Sequence, residues 1–492
     1  MLQPEYGTIT VTKNGTIIYP YKRGQSRSLE KATGRYDAVY HSWVETTGFR
    51  IPNYRGSPAF ITHNMVKSEL RQFMDTYEYE VMPVTRALPI GQEFTLSPRI
   101  TLREYQGDIA AEIITSANTT REWFVNLQTG FGKTMLGVYL ASVFKKKTMI
   151  VCFLSEILKQ WKESFSGNTN IDTSRILRID SGKILDKIYH NDFDPDAYDI
   201  YLISPSLITN YINTRDASYI TDIMNHLGIG FLIYDEGHHN MGLIIKLNAL
   251  SNVKYTLYLS ADFAQGDSRK EDQWLKIFRN AKVIRPDKKY EPDMKYTQVI
   301  IVDYDSHPTQ LEHDSAFTKY GYSADFYMRY QMQKGRIKEV IAHLVQLIEK
   351  ARKPDQKALI LFTNIAAVDE MTEYLRDHIK SNSLIFGRYH SAMSDYERTE
   401  TREFANVIIS TYSSFGTGMD EDNIKYVIGT NQSNKVEDNQ AAGRSRPLKD
   451  GSKSIYFIVT DTAFPYCRKK LKTRLAYLQT TKMSTTPTVY HM

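Results

Sequence analysis

The chain has 492 residues, which is too long for one hydrophobic core and predicts roughly two to four domains of ordinary size. Hydrophobic residues make up 41% and charged residues 24% of it, a balance typical of a soluble globular protein and not of a disordered one. The net charge of +6 permits contact with phosphate backbones, but many proteins that bind no nucleic acid are this basic.

The sequence contains neither a candidate membrane span nor a secretory signal. Its longest apolar runs, such as residues 149–154, are far shorter than the roughly 20 apolar residues that cross a bilayer as a helix. The N-terminus has no basic start followed by a long apolar stretch. Only Cys152 and Cys467 are present, and Cys152 lies in an apolar run that predicts a buried thiol. These features predict a protein of the reducing cytoplasm.

Residues 1–98 predict a small, mostly β accessory domain. The strand-like runs Gly7–Thr12 and Thr16–Tyr19 flank Asn14-Gly15, which is a strong hairpin signal. A group of basic residues interleaved with tyrosines follows, and it consists of Lys22, Arg23, Arg27, Lys31 and Arg35 with Tyr21, Tyr36 and Tyr40. Two interpretations stay open: a grip on duplex DNA, since cations bind phosphate and rings stack on bases, or a solvated basic face over core tyrosines.

Residues 99–285 predict a first α/β lobe. Apolar strand-like runs alternate there with helix-length segments, which favours a parallel sheet covered by helices on both faces. The predicted strands are residues 124–127, 148–154, 200–203, 231–234 and 256–259.

The rest of the chain predicts a connecting region and a second lobe. Residues 286–335 form the connection, with a strand-like run at 298–302, and residues 336–480 form a second α/β lobe. The lobe's predicted elements are a helix at 337–351 and strands at 358–362, 407–409 and 426–428. Arg468, Lys469, Lys470, Lys472 and Arg474 are predicted on the exposed side of its terminal helix, and residues 481–492 as a disordered tail.

The segment Thr129-Gly130-Phe131-Gly132-Lys133-Thr134 stands between a predicted strand and a predicted helix, the context of a phosphate-binding loop. Glycines let backbone N–H groups surround the β-phosphate, while Lys133 reaches the β- and γ-phosphates and the Thr134 hydroxyl binds Mg²⁺. The full pattern has a glycine where this chain has Leu127. The loop predicts ATP and Mg²⁺ as the cofactors.

Two adjacent carboxylates, Asp235 and Glu236, end a predicted buried strand about a hundred residues later. Such a pair suits a nucleotide site, because Asp235 can hold Mg²⁺ while Glu236 orients and deprotonates the attacking water. An acidic pair at a strand end is often only a solvated turn, but a phosphate-binding loop upstream argues for the site. His238 and His239 follow without the ligand spacing that a separate metal site needs.

The order of these motifs resembles that of the superfamily 2 helicases over most of residues 102–447. The resemblance implies a P-loop NTPase with two RecA-like lobes that hydrolyses ATP. In Leu102–Gln106, Gln106 would recognise adenine, with Arg103 beside it. Three further first-lobe segments are similar to family motifs: Ile150–Trp161 and Ser204–Leu207 to those that contact the strand, and Leu259–Ala261 to the one that couples hydrolysis to motion.

In the second lobe, Gly416–Asp420 resembles the motif that links strand and nucleotide, which assigns Gly418 and Asp420 to nucleotide binding. Gln440–Arg446 resembles the last family motif, which assigns Gln440, Arg444 and Arg446 to catalysis, the arginines as fingers on the γ-phosphate. The chain departs from the family at Asp262, where a Thr is usual, and at Pro447, where the final arginine stands.

The small β domain and the segment Ser260–Arg269 most resemble the compact bacteriophage helicases of the UvsW type and the XPB-like group. This resemblance implies unwinding, annealing or branch migration of single-stranded, forked or branched DNA in replication, recombination or repair, in the host-cell cytoplasm for a viral protein. Two alternatives stay open: a nucleic-acid-binding regulator whose motor is weakened by Asp262 and Pro447, and a helicase that acts on RNA.

Overall fold

A computed structural model describes most of the chain. The described residues are 7–11, 15–21, 35–37, 42–44, 48–62, 79–83, 93–128, 130–152, 155–237, 241–251, 253–261, 274, 278, 281–290, 295–318, 321–416, 423–430, 438, 441–444 and 452–492. Contacts divide the chain into two units: Met1–Leu127 with Gly132–Pro286, and Gln128–Phe131 with Asp287–Met492.

No described helix is long and apolar enough to cross a membrane. Cys152 and Cys467 are both buried, as predicted for Cys152.

The first unit begins with a small β region, as the sequence predicts. Its described strands are β1 (Gly7–Val11), β2 (Thr16–Tyr19), β3 (Arg35–Asp37), β4 (Ser42–Val44), β5 (Gly48–Tyr54), β6 (Ser57–Thr62) and β7 (Tyr79–Pro83). β1 pairs antiparallel with β2, which confirms the predicted hairpin. Five of the strands form a sheet in the order β5-β6-β2-β1-β7, and β3 pairs with β4. Tyr21 is buried and stacks on Phe60, while the other side chains of the predicted basic and aromatic group lie outside the described residues.

The first lobe is built on a parallel sheet. Its strands are β8 (Glu122–Asn126), β9 (Thr148–Val151), β10 (Ile176–Ile179), β11 (Ile200–Ile203), β12 (Phe231–Asp235), β13 (Tyr255–Ser260) and β14 (Lys282–Ile284). Among the described residues these seven strands lie in the order β10-β11-β9-β12-β13-β8-β14, and every pairing is parallel. All five predicted strands of this lobe are present, and β12 is buried along its whole length because helices cover both faces.

Seven described helices accompany the first sheet. They are α1 (Glu104–Ser116), α2 (Lys133–Phe144), α3 (Ser155–Asn168), α4 (Gly182–Tyr189), α5 (Pro205–Thr214), α6 (Ser218–His226) and α7 (Met241–Leu250). α3 shows why this arrangement is stable: Ile157, Leu158, Trp161 and Phe165 recur at helical spacing and are all buried, whereas Lys159 is exposed.

The N-terminal sheet and the first lobe share one hydrophobic core. Ile17 of β2 and Ile51 of β5 belong to the same buried cluster as Ile244 of α7. The turn between β5 and β6 is also hydrogen-bonded to the lobe, since the Asp216 carboxylate accepts the backbone N–H groups of Arg55 (2.8 Å) and Gly56 (2.9 Å). The β region is therefore packed on the lobe as part of its core.

The second lobe is a second parallel α/β sheet. Its strands are β15 (Thr297–Tyr304), β18 (Lys357–Phe362), β19 (Phe386–Tyr389), β20 (Val407–Thr411), β21 (Ile424–Thr430), β22 (Ser454–Asp461) and β23 (Thr488–His491), and a two-stranded hairpin, β16 (Phe317–Thr318) with β17 (Gly321–Tyr322), stands apart. The seven described strands run in the order β19-β20-β18-β21-β22-β15-β23, all parallel. The described helices are α8 (Gln310–Ser315), α9 (Ala324–Lys334), α10 (Arg336–Ala351), α11 (Ile365–His378), α12 (Asp395–Phe404), α13 (Tyr412–Gly416) and α14 (Pro465–Thr481).

Three features of the second lobe differ from the sequence predictions. β15 belongs to the lobe's sheet, although it lies in the segment predicted as a connection. The prediction of a disordered tail was wrong, because β23 pairs with β15 over residues 488–491. Arg474 is not on the exposed side of α14: it is buried against Asp438, so this guanidinium stabilises the core.

Candidate nucleotide-binding site

The predicted nucleotide-binding residues of the first lobe meet at one edge of its sheet. β8, β13 and β12 are neighbours, so the segments that follow them leave the sheet side by side. A backbone hydrogen bond of 2.9 Å from Leu127 to Ser260 joins the end of β8 to the end of β13, and Asp235 ends β12. Ligands of parallel α/β sheets bind at this carboxyl edge.

Two glycines of the predicted phosphate-binding loop have a backbone conformation that favours glycine. Gly130 (φ +87°) and Gly132 (φ +73°) are both in the left-handed region, which favours glycine. α2 begins directly after them at Lys133, so its first N–H groups point out of the helix toward the loop, where an anion would bind. Thr134 is half-buried in this first turn.

Gln106 lies against the loop. Its Nε2 donates to the carbonyl oxygen of Gly132 (3.1 Å), and its Oε1 accepts the backbone N–H of Arg103 (2.9 Å). A Cβ at position 132 would lie 2.3 Å from the same Nε2, so any other residue there would displace the end of the Gln106 side chain. The structure thus brings Gln106 to the loop and leaves Arg103 exposed at the start of α1.

Lys133 and Glu236 form a buried ion pair between the loop and the end of β12. Only 9% of Lys133 and 7% of Glu236 are exposed, so the two charges attract each other with little screening by solvent. Glu236 has a φ of +50°, a conformation that a residue other than glycine adopts uncommonly and that turns the chain sharply after the strand.

Asp235 is buried beside this pair and is fixed on one side. Its Oδ2 accepts the indole N–H of Trp161 (2.9 Å), while its buried Oδ1 accepts no hydrogen bond from the described residues. Burial raises the pKa of the Asp235 carboxyl; Lys133 opposes this shift, and the negative charge of Glu236 adds to it. A bound cation would favour the charged form of this carboxyl and would pair with Oδ1.

These residues fit a nucleoside triphosphate with Mg²⁺. Magnesium at such sites is held by one or two carboxylates together with substrate phosphates. Asp235 supplies a carboxylate oxygen that accepts no hydrogen bond from the part of the chain that the structure describes, and Thr134 supplies a hydroxyl at the start of α2. No cluster of three or more His, Cys, Asp or Glu side chains that could hold a metal ion occurs among the residues described.

Several predicted site residues lie outside the described residues. They are Thr129, Gly418, Asp420, Gln440 and Arg446, together with His238, His239, Asp262 and Pro447. Arg444 is described: it is buried in the second unit, and its backbone N–H donates to the carbonyl of Ala441 (3.1 Å).

The structure places Trp161 in a different environment from the one that its sequence motif implies. The resemblance placed it at the end of a strand-contacting motif, but its side chain is 0% exposed and hydrogen-bonded to Asp235. The spacing of the buried residues of α3 indicates a core position, but nothing in the sequence names the partner of the indole N–H.

Part of the chain is similar in sequence to known proteins. Residues 99–265 match the family described as "Type III restriction enzyme, res subunit". The XPB helicase/translocase subunit of general transcription and DNA repair factor IIH from Encephalitozoon cuniculi is 25% identical over 203 residues, which cover 40% of this chain and 28% of that protein. The XPB subunit of the TFIIH basal transcription factor complex from Trypanosoma brucei brucei is 26% identical over 182 residues, 36% of this chain and 19% of that protein. The matches thus span less than a third of the relatives' length.

Among solved structures, S. cerevisiae Dbp5 bound to RNA and ADP BeF3 has a TM-score of 0.55 at 14% identity and covers 80% of this chain and 90% of its own. At that identity the likeness shows the fold. The fold is that of two RecA-like α/β lobes. In sequence, the chain is similar to XPB helicase/translocase subunits over at most 40% of its length.

Proposed function

We propose that this protein is an ATP-dependent DNA helicase or translocase that couples hydrolysis to unwinding, annealing or branch migration of forked DNA. The observation that carries the proposal is the meeting of Lys133, Asp235 and Glu236 at the carboxyl edge of one parallel sheet. The named functions of the XPB relatives, transcription and DNA repair, favour DNA as the nucleic acid.

Each first-lobe residue of the site has a role that follows from its chemistry. The ammonium of Lys133 and the N–H groups at the start of α2 bind the phosphates, and Gln106 contacts the base. Asp235 and Thr134 would hold a Mg²⁺ ion, which would supply positive charge to neutralise the phosphates. Phosphate competes with Glu236 for Lys133, and the released carboxylate orients the attacking water and accepts its proton.

The second lobe contributes residues whose roles stay predictions. Gln440, Arg444 and Arg446 are assigned to catalysis, and Gly418 and Asp420 to nucleotide binding. Arginines at this point of the reaction would stabilise the negative charge on the transferred phosphoryl group.

Steady-state ATP hydrolysis with and without nucleic acid tests the proposal. The rate is measured alone and with single-stranded, duplex and forked DNA and with RNA, and Glu236→Gln serves as the blank. We expect strong stimulation by forked DNA and a loss of at least about a hundredfold in Lys133→Ala and in the blank. A full rate in the absence of any nucleic acid would contradict a motor that moves on DNA.

The same experiment separates the two alternatives. Stronger stimulation by RNA, together with displacement of RNA strands, would indicate an RNA helicase. Binding of nucleic acid without turnover would indicate a regulator with a weakened motor.

A further inference from the structure

Trp161 connects three parts of the first lobe. It lies on α3, its indole N–H bonds to Asp235 at the end of β12, and its ring packs on Gly137 of α2. A Cβ at Gly137 would lie 2.5 Å from Cη2 of Trp161, closer than any side chain tolerates. The indole therefore reaches Asp235 only because position 137 is a glycine.

The hydrogen bond fixes the orientation of the Asp235 carboxylate. An indole nitrogen is a donor only, so the bond selects one carboxylate oxygen as the acceptor. That oxygen is Oδ2, and the other oxygen, Oδ1, is buried and accepts no hydrogen bond from the described residues. The terminal torsion of aspartate is broad, so without the N–H the carboxylate would turn more freely. The indole thus fixes the carboxylate so that Oδ1 points away from the ring and is left for a ligand.

We infer that Trp161 is a positioning residue for the metal-binding carboxylate. Its N–H holds Oδ2 of Asp235 so that Oδ1 is presented to the Mg²⁺ of a bound nucleoside triphosphate, and Gly137 provides the space for the ring. The inference rests on the proposed function, since it requires a nucleotide and its ion at this site. Partners of metal-binding carboxylates and imidazoles commonly change metal affinity by roughly ten- to hundredfold when they are lost.

The chain offers a matched control. Trp123 of β8 is also fully buried in the first lobe, and its indole N–H donates to the hydroxyl oxygen of Ser116 (3.0 Å) on α1. Trp123→Phe and Trp161→Phe thus remove the same chemical group and the same ring area. Only Trp161 touches the candidate site.

The test measures nucleotide binding as a function of Mg²⁺ in the full chain, independently of hydrolysis. A fluorescent, non-hydrolysable ATP analogue is titrated at a series of Mg²⁺ concentrations and in EDTA, for the wild type and both variants. For Trp161→Phe we expect the Mg²⁺ concentration at half-maximal binding to rise roughly ten- to hundredfold, with unchanged affinity in EDTA. Trp123→Phe is expected to stay within about twofold of the wild type.

Each outcome decides a different point. Equal Mg²⁺ dependence in Trp161→Phe and Trp123→Phe would overturn the inference and leave the proposed function intact. A wild type that binds no nucleotide at any Mg²⁺ concentration would overturn the proposed function and the inference with it. If Trp161→Phe does not fold, Trp161→3-benzothienylalanine keeps the shape of the ring and removes only the N–H, and the same comparison applies.

Discussion

The ammonium of Lys133 and the carboxylate of Glu236 are paired inside the first lobe, so the residue proposed to bind phosphate is held by the residue proposed to activate water. Both belong to segments that leave the same edge of the sheet. Nucleotide binding is therefore expected to work against this pair.

Removing the charge of Glu236 should tighten nucleotide binding and should stop hydrolysis. In Glu236→Gln the charge on the partner of Lys133 is removed, so phosphate competes with a neutral amide. We expect the affinity for an ATP analogue to rise about five- to tenfold, a change of about 1 to 1.4 kcal/mol, and hydrolysis to be lost. Equilibrium titration and steady-state rates measure the two effects.

Glu122→Gln is the control for this change, because Glu122 is also a buried glutamate of the first lobe and lies at the start of β8. Its affinity for the analogue should match the wild type. Equal or weaker binding in Glu236→Gln would show that the ion pair does not compete with phosphate.

Gln106 should determine which base is accepted. Its side chain is held by Gly132 and Arg103, so its amide is fixed at the loop before any base contacts it. In Gln106→Ala we expect the preference for ATP over GTP, measured as the ratio of kcat/KM values, to fall by about tenfold or more, because hydrogen-bonded recognition is lost. Gln333→Ala, at an exposed position of α9, should leave the ratio unchanged. An unaltered ratio in Gln106→Ala would remove this residue from base recognition.

The contact between the N-terminal sheet and the first lobe should depend on pH through Asp216. Burial tends to raise the pKa of its carboxyl, but the N–H groups of Ser218, Arg55 and Gly56 outweigh burial, so the pKa is lowered. A lowered pKa means that the charged form is stabilised by folding. This contribution is complete above the unfolded pKa of about 3.9 and is lost as the pH falls through the folded value.

Asp216→Asn should therefore lower the free energy of unfolding by about 1 kcal/mol at neutral pH, and its difference from the wild type should shrink below about pH 4. Urea unfolding at a series of pH values measures it. Asp222→Asn serves as a control whose effect on the free energy of unfolding should have the opposite sign. Burial raises the pKa of Asp222, so folding favours the protonated form of its carboxyl. A constant difference for Asp216→Asn across the acid range would refute the assignment.

The buried pair of Arg474 and Asp438 should be a main support of the second lobe. Arg474 Nη2 donates to Asp438 Oδ1 (2.8 Å), the hydroxyl of Tyr456 donates to the same oxygen (2.7 Å), and both charged residues are buried. Arg474→Met leaves a buried carboxylate without its guanidinium and should cost about 3–5 kcal/mol in chemical denaturation. Arg468→Met, at an exposed position of the same helix, should cost less than about 1 kcal/mol. A similar loss of unfolding free energy in the two variants would mean that the buried pair adds nothing to stability.

The alternation of apolar strands and helices was enough to predict both parallel sheets. β12 illustrates why: a strand covered on both faces must be apolar throughout, and that run is visible without a structure. The turn between β8 and α2 was equally predictable, since Gly130 and Gly132 both adopt a left-handed backbone conformation there. Local requirements of this kind leave a local pattern.

Contacts between distant segments left no such pattern. The bond from Trp161 to Asp235 joins residues 74 positions apart, and the choice of acceptor depends on how α3 packs on α2. For Arg474 the sequence shows a basic helix, and only the fold reveals that one of its five basic residues faces inward to Asp438. β23 was missed because a short strand at a sheet edge has no apolar run of its own.

The sharing of one core by the N-terminal strands and the first lobe has a consequence for how this protein changes over time. Ile17 and Ile51 belong to the same buried cluster as Ile244, and a closely packed core makes the fit of each side depend on the other. Accepted changes at these positions should therefore occur together. Exchange of the N-terminal region between relatives would succeed only where the lobe surface is inherited with it, so the two are expected to have a common lineage.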